Sequence, residues 1–172
     1  PATMAEFADV ACQLSDPANE EYGFAFGGTY FWAPAPVFYA MGGKIVDDEI
    51  TTASGYVNSE ESVAAFTMLV DMYNDGCLSP NLLGGGIGTS DGHGSGKYAM
   101  IIDGPWMVDI YKSSYPDFEV NFALVPTGAD GTTSSVVGGE DLVVFADSEN
   151  PDAAMKWAAL LLREESQLLM GQ

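Results

Sequence analysis

The chain has 172 residues, of which 47% are hydrophobic and 12% aromatic, and its formal net charge is −20 from 25 acidic residues. This composition supports a folded core and excludes intrinsic disorder. The acidic charge repels phosphate backbones and anionic lipids, which excludes nucleic acids and membrane surfaces as expected partners.

The first part of the chain predicts a helix, a strand and a second helix. Thr3 and Glu6 form a capping box that starts the first helix. Residues 21–28 alternate as a short strand that ends in glycines, and residues 33–41 predict a helix that closes at Gly42.

The chain has two cysteines, Cys12 and Cys77. Cys12 falls inside the first predicted helix, where a cysteine is most often a small buried apolar residue. Two cysteines cannot build a disulfide framework. The sequence leaves undecided whether a single disulfide joins them.

The most regular helical pattern covers residues 59–75. Asn58 is the expected N-cap with Glu61 three residues on, and Gly76 supplies the position after the helix. One face of this helix is expected to carry Val63, Phe66, Val70 and Tyr73.

The second half of the chain predicts alternating strands and helices. A glycine-rich loop comes first, and the predicted strands are 98–103, 120–126 and 140–146. Alternating strands and helices indicate the α/β class, with a mixed sheet flanked by helices. Helices are expected to begin at Pro105 and near Pro151, the latter with a buried stripe of Ala154, Trp157, Ala158, Leu161 and Leu162.

Residues suited to catalysis are few. His93 is the single histidine, and no strand–turn–helix nucleophile motif surrounds the nearby Ser95. Paired carboxylates could flank a glycosidic bond, but 25 acidic residues make such pairs common by chance. The pairs are Asp47-Asp48, Glu60-Glu61, Glu140-Asp141 and Glu164-Glu165. We predict no catalytic residues, no metal site and no cofactor.

Aromatic residues follow two of the predicted strands directly. Tyr30, Phe31 and Trp32 come after the first glycine-ended strand, and Trp106 comes after strand 98–103. Composition alone favours core positions for them. Ligands of open α/β sheets, however, lie beyond the carboxyl ends of strands, and flat aromatic rings suit the C–H face of a sugar. Gly139 and Glu140, at the start of strand 140–146, would add backbone N–H groups and a carboxylate.

Several segments, in collinear order over essentially all 172 residues, resemble one family. They are PATMAEFADVACQLSD, YGFAF with YFW and MGGKIVDDE, the segment VNSEESVAAFTMLVDMYNDGCLSP, and VGGEDLVVFADSENPDAAMKWAALL. The most specific is GKYAMIIDGPWMV. The chain is similar to the extracellular solute-binding proteins of carbohydrate ABC transporters, the family of maltose-binding protein.

The resemblance implies one lobe of a two-lobed, type II periplasmic-binding-protein-like fold. The chain opens on PATMAEF without a signal peptide, and the resemblance implies an internal fragment. Residues 1–137 would form the second lobe, and residues 138–172 would be a hinge strand with a strand and helix of the first lobe. Because their partner elements would then be missing, strand 140–146 and the helix after it should expose apolar surface, and the fragment is expected to self-associate or swap domains.

The resemblance also implies a function without bond chemistry. Trp106 matches the ligand-stacking tryptophan of the family, and Tyr30, Phe31 and Trp32 match its contact segment, with Gly139 and Glu140 as hinge candidates. The receptor would bind a carbohydrate, with several aromatics favouring an oligosaccharide, and deliver it to a membrane permease. It would lie outside the cytoplasm, as a cell-surface lipoprotein or a periplasmic protein.

The chain departs from the family pattern at one place, and the sequence leaves two other functions undecided. The family has a helix before its Gly-Lys pair, where this chain reads TSDGHGSGK. A glycoside-active enzyme fragment would use an acidic pair, and a structural or adhesive module would bury the aromatics as core.

Overall fold

The computed structural model describes residues 1–139 and 141–171. Within these residues the chain forms seven α-helices and two β-strands. Short 3₁₀ turns occupy Pro17–Asn19 and Pro80–Leu83. The elements are α1 (Met4–Gln13), β1 (Tyr22–Ala25), α2 (Ala35–Ala40), α3 (Glu60–Asn74), α4 (Thr89–Gly94), β2 (Tyr98–Ile101), α5 (Met107–Ser114), α6 (Pro151–Leu161) and α7 (Glu164–Met170).

The chain divides into two compact units, Pro1–Val136 and Val137–Gln172. The first unit contains the sheet, in which β1 and β2 pair in parallel with Phe24 opposite Met100 and Ala25 opposite Ile101. On its other side β1 exchanges backbone hydrogen bonds with the segment around Leu78, since Phe24 N–H donates to Cys77 O. The α/β class is confirmed, and the described part of the expected mixed sheet is this one parallel pair.

The core of the first unit forms where α1 crosses β1. The rings of Phe7 and Phe24 meet edge to face with centroids 4.7 Å apart. The helix comes this close because Gly23 has no side chain: a Cβ there would lie 1.8 Å from the Ala11 carbonyl oxygen. Ser15 fixes the contact, since its hydroxyl donates to Ala11 O at 2.8 Å and accepts from Gly23 N at 2.7 Å.

Cys12 and Cys77 form a disulfide. The expectation that Cys12 is a buried apolar residue is therefore wrong: Cys12 lies on the exposed side of α1 and reaches the chain just after α3. The capping box at Thr3 and Glu6 is confirmed.

Helix α3 differs from its prediction in both cap and orientation. The N-cap is Ser59, whose side chain accepts from Ser62 N, whereas Asn58 accepts from Gly55 N instead. Gly76 follows the helix with φ +74°, as predicted. The expected face is on the solvent side: Val63, Phe66, Val70 and Tyr73 are exposed, and the buried residues are Ser62, Ala65, Leu69 and Met72.

The predicted strands 120–126 and 140–146 are wrong in the described residues. Neither segment has strand hydrogen bonds, although Thr127 makes a bridge with Thr3. A strand exists only with a partner at hydrogen-bonding distance, and no described segment supplies one.

The second unit consists of an irregular segment followed by α6 and α7. Helix α6 begins at Pro151 as predicted. None of its residues is buried within the described chain, so its apolar stripe is exposed and not buried. This exposure agrees with the expectation drawn from the resemblance. The side chains of Leu142, Val143 and Phe145 before it are also exposed.

Candidate functional site

The candidate site begins at the carboxyl edge of the parallel strand pair. Because Ala25 and Ile101 are paired, both strands end at the same level of the sheet. Tyr30 and Trp106 each follow five residues beyond these two ends. In the first unit, these are the positions where open α/β sheets carry ligands.

The segment after β1 displays aromatic rings that α2 supports. Gly28 turns the chain with φ +80°, a conformation that favours glycine. Phe31 packs edge to face on Phe38 and Tyr39, with ring centroids 5.2 and 5.9 Å away. Tyr30 is 61% exposed and Trp32 is 42% exposed. A core role for these two rings within the described chain does not agree with this exposure.

The segment after β2 is a tight corner that ends in Trp106. The Asp103 carboxylate accepts from Gly104 N at 2.8 Å, and Met107 N donates to Gly104 O at 3.1 Å. Pro105 adds no N–H donor to this turn. Helix α5 then anchors the corner through buried Met107, which leaves Trp106 54% exposed.

His93 packs against helix α5, which follows this corner. Its Nδ1 is hydrogen-bonded to the Tyr111 hydroxyl, and its ring meets Phe118 edge to face at 5.1 Å. Burial lowers the pKa of His93, partly offset by a hydrogen bond to the Ala99 backbone. Burial, with the Asp103 charge, raises the pKa of Tyr111 to about 12. His93 thus lies in the short helix α4 of the glycine-rich stretch and packs α4 against α5.

A groove of about 440 Å³ lies beside β2 in the first unit. Its walls are the strand residues 99–102 and the segment 120–126, and its floor includes Met107 and Tyr111. None of the predicted site aromatics lines it. The segment 120–126 therefore lies across this groove from β2 and is not paired with it.

The other two predicted residues belong to the second unit. Gly139 has open space around its Cα, and Glu140 lies outside the described residues. The structure thus brings two of the predicted segments, 30–32 and 106, to one edge, and leaves the prediction for Gly139 and Glu140 untested.

Sequence reasoning missed the residues that support the exposed rings. Phe38 and Tyr39 pack against Phe31, and the signal for them was the aromatic run itself, in which aromatic residues recur seven and eight positions apart, about two helical turns. The glycine-rich stretch also contains more order than expected, because Thr89–Gly94 forms the short helix α4 where the family has a helix.

Comparison with known proteins decides the family. The family of bacterial extracellular solute-binding proteins matches residues 1–168. The chain belongs to this family. Its fold matches one lobe of solute-binding proteins.

Individual family members agree with this assignment. A solute-binding protein of an ABC transporter from Thermotoga lettingae, solved with α-D-tagatose, is 28% identical with a TM-score of 0.81 over 99% of this chain and 44% of its own. The GacH receptor of Streptomyces glaucescens, solved unliganded and with acarbose, is 25% identical with a TM-score of 0.72, covering 97% of this chain and 43% of its own. The galactooligosaccharide-binding protein of Bacillus subtilis is 25% identical over 173 residues, 96% of this chain.

The chain spans 40% of the length of the curated relatives it matches. Among its described residues no helix is both long and apolar enough to cross a membrane. The same residues contain no group of three or more histidine, cysteine or acidic side chains placed to hold a metal ion.

Proposed function

We propose that this chain is part of the substrate-binding component of an ABC transporter for sugar uptake. The observation that carries the proposal is the pair of exposed aromatic groups, Trp106 and the Tyr30–Trp32 segment, beyond the ends of two paired parallel strands. Family membership and the carbohydrates named for the Thermotoga, Streptomyces and Bacillus relatives support it.

The chemistry of these side chains fits a sugar. An indole or phenol face packs against the C–H groups of a pyranose ring, while carboxylates and amides accept hydrogen bonds from its hydroxyls. Several separate rings are available, and this number favours an oligosaccharide over a single sugar ring. We assign Trp106, Trp32, Tyr30 and Phe31 to ligand contact, with Gly139 and Glu140 as candidates from the hinge.

The receptor would work by closing two lobes on its ligand. In this proposal residues 1–137 form most of the second lobe, and residues 138–172 begin at the hinge and return to the first lobe. Hinge closure buries the sugar on both sides, after which the receptor presents it to the permease. A receptor with this task lies outside the cytoplasm, either periplasmic or anchored to the cell surface. Self-association of the isolated chain, expected from its exposed apolar residues, stays a prediction.

The alternative of a glycoside-active enzyme has less support from the geometry. Asp47 accepts hydrogen bonds from the N–H groups of Thr51 and Thr52 and from the Thr51 hydroxyl, and these lower the pKa of its carboxyl. A general acid needs the opposite shift. Glu60 and Glu61 lie in the first turn of α3, where carboxylates stabilise the helix dipole.

The test is a ligand screen on the full-length receptor, with tryptophan fluorescence as the readout. The panel contains α-D-tagatose, acarbose and galactooligosaccharides, with free amino acids as a different solute class. Trp106→Ala is the variant. Trp157→Phe is the control, because Trp157 belongs to α6 of the second unit and is not among the proposed contact residues.

We expect a response to one carbohydrate class. Loss of a stacked ring should weaken binding by about 10- to 100-fold in Trp106→Ala, as an aromatic contact of roughly 1.5–3 kcal/mol would, and leave the control unchanged. A response to amino acids only, or to nothing with folding verified, would overturn the carbohydrate assignment. Turnover of a glycoside would favour the enzyme.

A further inference from the structure

We propose that Gly104 is a positioning residue whose bare Cα forms the seat on which the Trp106 indole lies. A Cβ added to Gly104 would fall 2.1 Å from Cη2, 2.2 Å from Cζ3 and 2.4 Å from Cζ2 of Trp106. Carbon atoms in contact are about 3.5–4.0 Å apart, so the indole occupies the volume that any side chain would need. The effect of Gly104 on ligand binding rests on the proposed function, whereas the close contact between Gly104 and the Trp106 ring does not depend on it.

The backbone at Gly104 does not itself require glycine. The described residues with positive φ include eight glycines, and Gly104 is not among them. Its N–H bonds to the Asp103 carboxylate, an interaction that any residue could make. The Trp106 ring is therefore the feature that excludes a side chain at position 104. Gly104→Ala tests this steric contact without adding backbone strain.

The same arrangement occurs at the end of the neighbouring strand. A Cβ on Gly28 would lie 3.0 Å from Cδ1 and 3.1 Å from Cε1 of Tyr30. In both corners an aromatic ring folds back over the glycine two residues before it. Gly28 has φ +80°, so a substitution there would also strain the backbone. At Gly104, whose φ is not positive, the contact with the aromatic ring can be tested separately from backbone strain.

The seat has a consequence for binding. One part of the indole is packed on the main chain, and 54% of Trp106 remains open to solvent. A ring held in one rotamer before the ligand arrives has little freedom left to lose, and ordering a free side chain would weaken binding by about 3- to 10-fold. Gly104 thus sets the orientation of the stacking surface without touching the ligand itself.

The first measurement uses the 172-residue chain without any sugar. Trp32→Phe and Trp157→Phe leave Trp106 as the only tryptophan, and acrylamide quenching then reports the exposure of its ring. In Gly104→Ala we expect stronger quenching and a red-shifted emission maximum, because the methyl group displaces the indole from its seat. Gly88→Ala is the matched control: its φ is −59°, and an added Cβ meets Asp91 Oδ2 at an ordinary 3.7 Å. Identical quenching in Gly104→Ala and Gly88→Ala would overturn the inference.

The second measurement uses the full-length receptor with Trp32 and Trp157 unsubstituted, and the same sugar panel. Gly104→Ala should weaken binding by about 3- to 10-fold, and it should have no further effect when added to Trp106→Ala. An equal loss in the Trp106→Ala background would show that Gly104 acts on the fold and not through the ring, which would overturn the inference.

Two further outcomes are decided in the same design. If the unmutated receptor binds no panel sugar, the proposed function fails, and the quenching result alone decides the role of Gly104. If Gly104→Ala does not fold, Gly104→Ala with Trp106→Ala is the deciding variant. Recovery of folding in the double variant supports the seat, because the clash has been removed with the ring, and continued misfolding overturns it.

Discussion

At the scale of single residues, His93 illustrates how the environment assigns a role to a reactive side chain. It is the only histidine in the chain, and it is half-buried among Tyr111, Phe118 and the Ala99 backbone. Burial lowers its pKa and so favours the neutral ring near pH 7. It therefore contributes to stability, and its contribution depends on pH.

We predict that His93 makes the free energy of unfolding fall as the pH is lowered. Because burial lowers its pKa in the folded chain, its stabilisation is complete above the unfolded value of about 6.5 and is lost as the pH falls through the folded value. The slope should stay well below the one-proton maximum of about 1.4 kcal/mol per pH unit, since the ring is only partly buried and water screens it.

Urea unfolding of wild type and His93→Gln at pH 7.5, 6.5 and 5.5 measures this effect. The carboxylates titrate in both proteins, so the difference between the two curves isolates the histidine. The wild type should lose more stability than the variant between pH 6.5 and 5.5. Parallel curves over this range would contradict the prediction.

At the scale of elements, α3 shows why periodicity alone misplaced a helix face. The exposed apolar residues and the buried ones follow the same spacing and are offset by one position, about 100° around the helix. The core selects the side with the smaller residues Ser62 and Ala65. The Ser62 hydroxyl also donates to Tyr56 O at 2.8 Å, which ties the preceding loop to the helix. Hydrophobicity favours both faces, and only the packing decides between them.

Two adjacent residues of α3 should therefore differ sharply in their response to truncation. Leu69 is 6% exposed and Val70 is 55% exposed. Leu69→Ala should lower the free energy of unfolding by about 2–4 kcal/mol through loss of packing and a cavity, while Val70→Ala should change it by less than about 0.5 kcal/mol. Equilibrium urea denaturation of both variants gives the comparison. Similar losses at the two positions would place the buried face elsewhere.

Elements with a clear local signal were predictable, but a strand signal was correct only where the fold also supplies a partner strand. The capping box of α1, the glycine after α3 and strands β1 and β2 all followed from local sequence. Segments 120–126 and 140–146 have strand composition, but no described segment lies beside them to complete a ladder. For the candidate site, the exposed position of Trp106 followed from its place after a strand, whereas the support of Phe31 by α2 required the tertiary structure.

At the scale of the whole molecule, the Cys12–Cys77 disulfide ties the first unit together. The two cysteines are 65 residues apart, and the closed loop contains β1, α2 and α3. The sequence left the pairing open because it depends on α1 and the end of α3 meeting in space. A bridge of this kind persists in oxidising compartments, which agrees with the proposed location outside the cytoplasm.

Reduction of this disulfide should lower the stability substantially. The chain-entropy estimate for a loop of this length is about 4 kcal/mol, and we expect a loss of about 2–4 kcal/mol after native-state relaxation. Urea unfolding with and without dithiothreitol measures it, with Cys12→Ser/Cys77→Ser as the control that should no longer respond to the reductant. An unchanged wild-type midpoint under full reduction would contradict the prediction.

Because Ala25 pairs with Ile101, β1 and β2 end at the same level, and positions beyond the two strands can be compared by their distance in residues from this pair. Tyr30 and Trp106 stand the same number of residues from that pair, so the spacing between their rings depends on the two short connections and not on the strands. One residue added to or removed from either connection would shift one ring by up to about 3.3 Å while β1 and β2 stay paired. Connection length is therefore a means by which evolution, or an engineer, could fit this surface to a longer or shorter ligand without rebuilding the fold.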